Sequence, residues 1–213
     1  GVRLCLAQDA DADTLLSADP FALLVGMLLD QQIPMEKAFY GPYLIASRLG
    51  SDRLDPAQVA AADAEAFGAL MAGPPAVHRY HRSFAGRVQA LARHVVDVYD
   101  GDAAAIWRDV ADGAALLTRL LGLPGFGDQK ARIFLSLLGK QLGVEPAGWR
   151  AAAGDYATAG SHRSVADVVD AESLLEVREF KRAAKAAAKA GAQAGPPSAQ
   201  AAATAEGGRT APR

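Results

Sequence analysis

The chain has 213 residues and a mass of 22.1 kDa, the size of one domain or of one domain with an extension. Apolar residues make up 51% and charged residues 22%, which supplies a proper core and excludes global disorder. A single cysteine and four scattered histidines exclude an internal disulfide, a four-cysteine iron-sulfur site and a zinc knuckle, so no metal and no cofactor are expected. The total charge of −2 hides an asymmetry. Six basic residues and one acid lie after Phe180, leaving residues 1–180 with 16 basic and 23 acidic side chains, a net −7. Charge alone does not make such a body a nucleic-acid binder, and any such function has to use a local patch. No apolar run approaches the ~18 residues of a membrane span, and the first residues turn acidic where a signal peptide is basic and then apolar. No membrane partner is expected, and the expected location is the cytoplasm.

The pattern is helical nearly throughout, rich in Ala, Leu and Arg with few β-branched runs. Asp19-Pro20 caps and opens an apolar helix, PFALLVGMLLDQQ, which Pro34 ends. A second helix is predicted from Met35 to about Leu49, stopped by Gly50 and open to a kink or restart at Gly41-Pro42. Asp55-Pro56 and Asp63 start short segments, and Ala72-Gly-Pro-Pro75 reads as a turn. After HRYHRSFAGR comes a periodic helix, RVQALARHVVDVY, with Val88, Leu91, Val95 and Val98 on one stripe. Asp112 caps a helix with an apolar edge of Leu116, Leu117 and Leu120. The chain then turns tightly through Leu123-Pro-Gly-Phe-Gly127, and Asp128 begins a partner helix packing through Ala131, Phe134, Leu135 and Leu138. A short helix and a loop follow in AGWRAAAGDYATAGSHRS. Asp170 caps a last helix that fades at about Gly191 into an Ala/Gly/Pro-rich tail, giving a folded unit over 1–190 and a flexible tail over 191–213.

Two features carry chemistry in their own right. Gly125 and Gly127 flank an apolar Phe126, so open backbone amides at a helix N-terminus can cradle a phosphate oxygen. A merely tight interhelical turn is the alternative, and Asp128 opposes close approach of an anion. The densest cationic stretch, Arg79-Tyr80-His81-Arg82 with Arg87, suits backbone phosphates with Tyr80 packing beside a sugar, or else a solvated loop paired to local acids. Lys181, Arg182, Lys185 and Lys189 form a basic helical face, which suits general DNA affinity or solubility equally well.

The run Leu120-x-x-Leu123-x-Gly125-Phe126-Gly127-x-x-x-Ala131-x-x-Phe134-Leu135 resembles the helix-hairpin-helix signature of the HhH-GPD superfamily of base-excision DNA glycosylases. The earlier LLVGMLLDQQIP resembles the helix of those enzymes that ends in a glutamine-bearing loop. The likeness extends from Pro20 to about Ala190 and is nearest a small actinobacterial-type group without the iron-sulfur cluster. It implies an all-α, two-lobed fold with a cleft, a monomer bound to double-stranded DNA and a nucleoid-associated location. The damaged or mismatched base would be turned into the cleft, and its N-glycosidic bond hydrolysed.

The resemblance also implies an essential aspartate beyond the hairpin. Asp155, Asp167 and Asp170 are the candidates, and Asp167 is preferred because Val165-Ala166 gives it an apolar lead; a helix cap is its alternative role. A carboxylate suits the step because cleavage builds positive charge on the sugar. Gln31 and Gln32 would offer amides to base edges, and Tyr40, Trp149 and Tyr156, with Phe39 and Met27, would line a base pocket. Bifunctional members carry a lysine two positions after the last hairpin glycine, where this chain has Gln129. Lys130 starts ~100° further round the helix and is expected to face phosphate or solvent, so no AP lyase activity is expected. A noncatalytic helix-hairpin-helix DNA-binding or lesion-sensing protein is the second reading, and a helical protein-interaction module the third. The base excised is not specified by these residues.

Overall fold

A computed structural model describes residues 2–194. Among the described residues the chain is all-helical, with α1 over Ala10–Ala18, α2 over Pro20–Leu29, α3 over Met35–Arg48, α4 over Pro56–Ala61 and α5 over Ala64–Ala72. Then follow α6 over His81–Tyr99, α7 over Gly113–Leu121, α8 over Asp128–Leu142, α9 over Trp149–Ala153 and α10 over Ala171–Ala194. Short 3-10 turns occupy Ala103–Ile106, Gly154–Ala157 and Val165–Asp167.

The capping acids set the starts. Asp9, Asp19, Asp55, Asp63 and Asp112 each accept a backbone N–H of the first turn of α1, α2, α4, α5 and α7, and Asp170 does so for α10 through Ser173 N. α2 has no polar face, and all residues from Phe21 to Leu29 are buried, so it is the central rod of the molecule. α3 lies along it. Gly26 faces the Phe39 ring and Gly41 faces Leu29, and a Cβ at either position would sit about 2.5 to 2.6 Å from those side chains. That close packing carries α3 unbroken through Pro42, where the sequence allowed a restart. α4 and α5 pack on α6, while α7, α8 and α9 close the other side with the turn of residues 165–167. One continuous hydrophobic core joins the two sides.

Three elements differ from the sequence reading. α1 is absent from it, because ADADTLLSA has too weak an apolar stripe to announce a helix. Tertiary contacts hold that region instead: Leu4 and Leu6 are fully buried, and the buried Asp13 accepts Ala7 N at 2.8 Å. α6 begins at His81 rather than near Arg87, since Phe84 and Ala85 already face the core, and Val98 at its far end is 59% exposed. Residues 191–194, expected to open the tail, continue α10, and residues 195–213 of that expected tail lie outside the described residues. No helix among the described residues is long and apolar enough to cross a membrane.

Candidate functional site

The expected hairpin forms as read. α7 and α8 are joined by residues 122–127, with Phe126 buried and set edge-on to Phe134 at 6.1 Å between ring centres, and Ala131 fully buried where the helices approach. Its two glycines have different tasks. Gly125 has φ +83°, and a Cβ there would strike the Leu28 side chain, so this glycine lets the turn lie on the end of α2. Gly127 has φ −78° with open space beside it, and as the N-cap of α8 it offers no side chain to the first-turn amides. Those donors are left for an external acceptor.

α8 is not alone in this. α3, α6, α8 and the five-residue α9 start without a side-chain cap, in contrast to the six aspartate-capped helices. The three long ones, of 14, 19 and 15 residues, all begin around the segment Gln31–Pro34. α3 follows it directly in the chain. α6 is tied to it by His78, whose Nε2 donates to the Gln31 carbonyl at 2.9 Å while Nδ1 accepts Tyr80 N at 2.9 Å. α8 is tied to the last turn of α2, which leads into the segment, by Lys130, whose Nζ donates to the carbonyls of Met27 at 2.8 Å and Leu28 at 3.0 Å. Three positive helix ends thus converge on one exposed loop, with Gln31 and Gln32 at its tip and Gln32 in the left-handed region at φ +61°. His78 is buried and stacked on Phe84 at 3.9 Å, and burial lowers its imidazole below the ordinary value, so its ring is a fixed neutral bracket for the loop.

Beside this loop a cleft of about 1120 Å³ runs between the end of α2, the hairpin, the Gly154–Ala157 turn and α10. Of the expected site residues, Gln31, Gly125, Gly127, Lys130, Asp155 and Tyr156 line it together. Tyr156 accepts a hydrogen bond from Gln129 Nε2 at 3.1 Å, and Met27 and Phe180 add apolar wall. Asp155 is held in place from below. Trp149 lies against Gly139, and the guanidinium groups of Arg132 and Arg150 donate to the carbonyls of Ala152 and Ala157 on either side of the acid. The Asp155 side chain is exposed into the cleft.

Other expected residues lie elsewhere. Asp167 is buried against Lys140, with Oδ1 2.6 Å from Nζ and Oδ2 accepting from Ser161 Oγ at 3.1 Å and Arg163 N at 2.8 Å. It does not line the cleft, and its oxygens are already committed. Asp170 caps α10, and its bonds to Ser173 hold its carboxyl below the ordinary value. Trp149 is core, its ring against Gly139, and Tyr40 sits beside Tyr43 at 5.5 Å on α3, so neither lines the cleft. Arg79, Arg82 and Arg87 are exposed at the start of α6, with the Arg79 guanidinium 5.4 Å from the Tyr80 ring centre and that of Arg87 4.8 Å from Phe84. Lys130, expected to face outward, turns its ammonium inward to α2. The reason is that α2 ends with the Leu28 carbonyl unpaired and the Met27 carbonyl accepting only the Asp30 N–H, and the hairpin brings an amine to both.

Sequence reading did not place Asp30 in the site. Its carboxyl lines the cleft, and burial raises it above the ordinary value against the attraction of Lys181 and Lys130. Lys37 and Lys181 were also missed as members of this cationic neighbourhood. Their fields reach His78 and Lys130 respectively, and only folding brings them there. Among the described residues no group of three or more His, Cys, Asp or Glu side chains gathers to hold a metal. Comparison with protein-family models, with curated proteins and with solved structures finds no match to this chain.

Proposed function

We propose that this protein binds double-stranded DNA and hydrolyses the N-glycosidic bond of a damaged or mismatched base, with an HhH-GPD-like division of labour between hairpin, glutamine loop and cleft. The observation that carries the reading is the convergence of the uncapped starts of α3, α6 and α8 on the Gln31–Gln32 loop. Helix ends with free amides attract successive phosphates on a body whose net charge is acidic, and they do so where an amide-bearing tip can enter the duplex. In this reading Gly127 and the first amides of α8 hold one phosphate, and Arg79, Arg82 and Arg87 hold others. Gln31 and Gln32 fill the place of the extruded nucleotide and contact the facing base. The base enters the cleft beside Tyr156, Met27 and Phe180. Asp30 lines the same cleft, its carboxyl raised above the ordinary value by burial.

Asp155 takes the catalytic role in place of Asp167, because it is the expected carboxylate that opens into the cleft. As the base departs with the bonding pair, positive charge develops on the sugar. The Asp155 carboxylate stabilises that charge and takes a proton from the water that adds to C1′. An incision screen over duplexes with different single lesions, with and without hot alkali, tests the function. Alkali-dependent cleavage of at least one lesion duplex is expected. Binding of duplex without any base release would instead favour a noncatalytic lesion-sensing protein, and no affinity for any duplex would end the DNA reading.

A further inference from the structure

We propose that the second half of α10, from Lys181 to Ala194, is a basic arm that lies along the phosphate backbone of the duplex beyond the cleft, an inference that rests on the DNA-binding reading. α10 is docked to the body by its first half alone. Ser173, Leu174 and Val177 are buried, Arg178 pairs with Glu36 in the first turn of α3, and Arg163 lies over the Phe180 ring at 5.2 Å. From Lys181 to Ala194 every residue is exposed. At ~1.5 Å per residue this half of the helix is about 20 Å long, enough to pass a major groove about 12 Å wide.

The chemistry of the arm is one-sided. No acidic residue lies between Phe180 and Ala194, and Lys181, Lys185 and Lys189 recur every fourth residue to form one slowly turning stripe. Arg178 and Arg182 are held by Glu36 and Glu179, whereas these three lysines form no ion pair among the described residues. The stripe also starts in the right place. Lys181 and Ala184 line the same cleft as Gly125 and Gly127, so the cations lead outward from the open amides of α8. A membrane surface fits less well, since a helix lying in a bilayer interface needs large apolar side chains opposite its cations. Here the residues between the basic ones are Ala, Gly and Gln.

The test is a titration of the full-length chain with lesion-free duplex over a salt series. Wild type is compared with Lys185→Gln/Lys189→Gln, with Lys185→Arg/Lys189→Arg, and with Gly127→Val as the hairpin variant. Each phosphate contact adds about 0.9 to the slope of log affinity against log salt, so the double glutamine variant is expected to be shallower by about 1.8 and the double arginine variant to match wild type. Equal slopes for wild type and the glutamine variant, where Gly127→Val has lost affinity, would overturn the arm and leave the DNA reading standing. Equal loss in the arginine and glutamine variants would also overturn the arm. Absence of salt-dependent duplex binding by wild type would overturn the DNA reading and the arm with it.

Discussion

The Lys130 ammonium lies 2.8 Å from the Met27 carbonyl and 3.0 Å from that of Leu28, so the hairpin closes the open end of the central helix α2. This contact couples the hairpin turn to the glutamine loop, because Gln31 lies two residues after α2 ends. The hairpin is thereby fixed to the part of the chain that would enter the duplex.

Burial lowers the Lys130 amine to about 8, against the attraction of Asp30 and with the help of Arg87 and Lys181. In the unfolded chain the amine keeps its proton up to its ordinary value of 10.5. Between about 8 and 10.5 the unfolded state therefore binds more protons than the folded one, and this group makes the fold gain stability as pH rises through that window. Lys130→Met removes that gain and leaves the Leu28 carbonyl without a partner, while the Met27 carbonyl keeps the Asp30 N–H at 3.2 Å. Urea titrations at pH 7 and pH 10 are expected to show wild type gaining on the variant at the higher pH, with the variant less stable at pH 7 by about 1–3 kcal/mol. A constant difference at both pH values would contradict the buried placement of the amine.

The Asp167–Lys140 pair makes a second prediction, about stability. Only 4% of the Asp167 side chain and 12% of that of Lys140 are exposed, and removing one partner strands the other in the core. Asp167→Ala is expected to cost about 3–5 kcal/mol, and Lys140→Met/Asp167→Leu to recover part of it, measured by denaturant midpoints. A fully stable Asp167→Asn that releases no base would return the catalytic role to Asp167.

The contrast between Asp167 and the hairpin shows what the sequence makes legible. The hairpin is encoded locally: Asp112 caps one helix, Leu123–Gly127 turns the chain, Phe126 lies in that turn, and Ala131 and Phe134 follow three residues apart on the next helix. The local apolar lead before Asp167 is equally visible, but its partner Lys140 lies 27 residues away in sequence, and nothing in the spacing announces the pair. The separate helical bearings of Gln129 and Lys130 were legible, and the structure has Gln129 turned to Tyr156 and Lys130 turned to α2. The acceptors of that lysine, more than a hundred residues earlier, were not. α1 was illegible for a related reason. Its Asp13 is buried by the preceding strand of chain, a tertiary event that overrides a weak amphipathic pattern.

The two hairpin glycines separate folding from binding. Gly125→Ala places a side chain at φ +83° against Leu28 and is expected to lower stability by about 1–2 kcal/mol. Gly127→Val meets open space at φ −78°, so stability should hardly change. Affinity for lesion-free and lesion-containing duplex is then expected to fall together, since a branched side chain screens the first amides of α8 without touching base recognition. Thermal melts and duplex titrations on both variants check the pair. Unchanged affinity in a folded Gly127→Val would remove the hairpin from the interface.

The last prediction concerns the chemistry. An amine can attack the opened sugar only if it is free, neutral and within reach. Gln129, at the position where bifunctional members of the family that the hairpin resembles carry lysine, has an amide that donates to Tyr156 and has no basic lone pair. Lys130 lines the cleft, but its hydrogens are committed to the Met27 and Leu28 carbonyls. In the proposed reaction, water activated beside Asp155 is left to complete the step. Lesion duplex is therefore expected to stay intact until alkali treatment, and borohydride to trap no protein–DNA adduct. Asp155→Asn keeps size and removes charge, so single-turnover base release is expected to fall by about 10²-fold while lesion affinity is retained. An adduct that forms in wild type and disappears in Lys130→Ala would show that the ammonium leaves its carbonyls when DNA binds, and would make Lys130 the nucleophile.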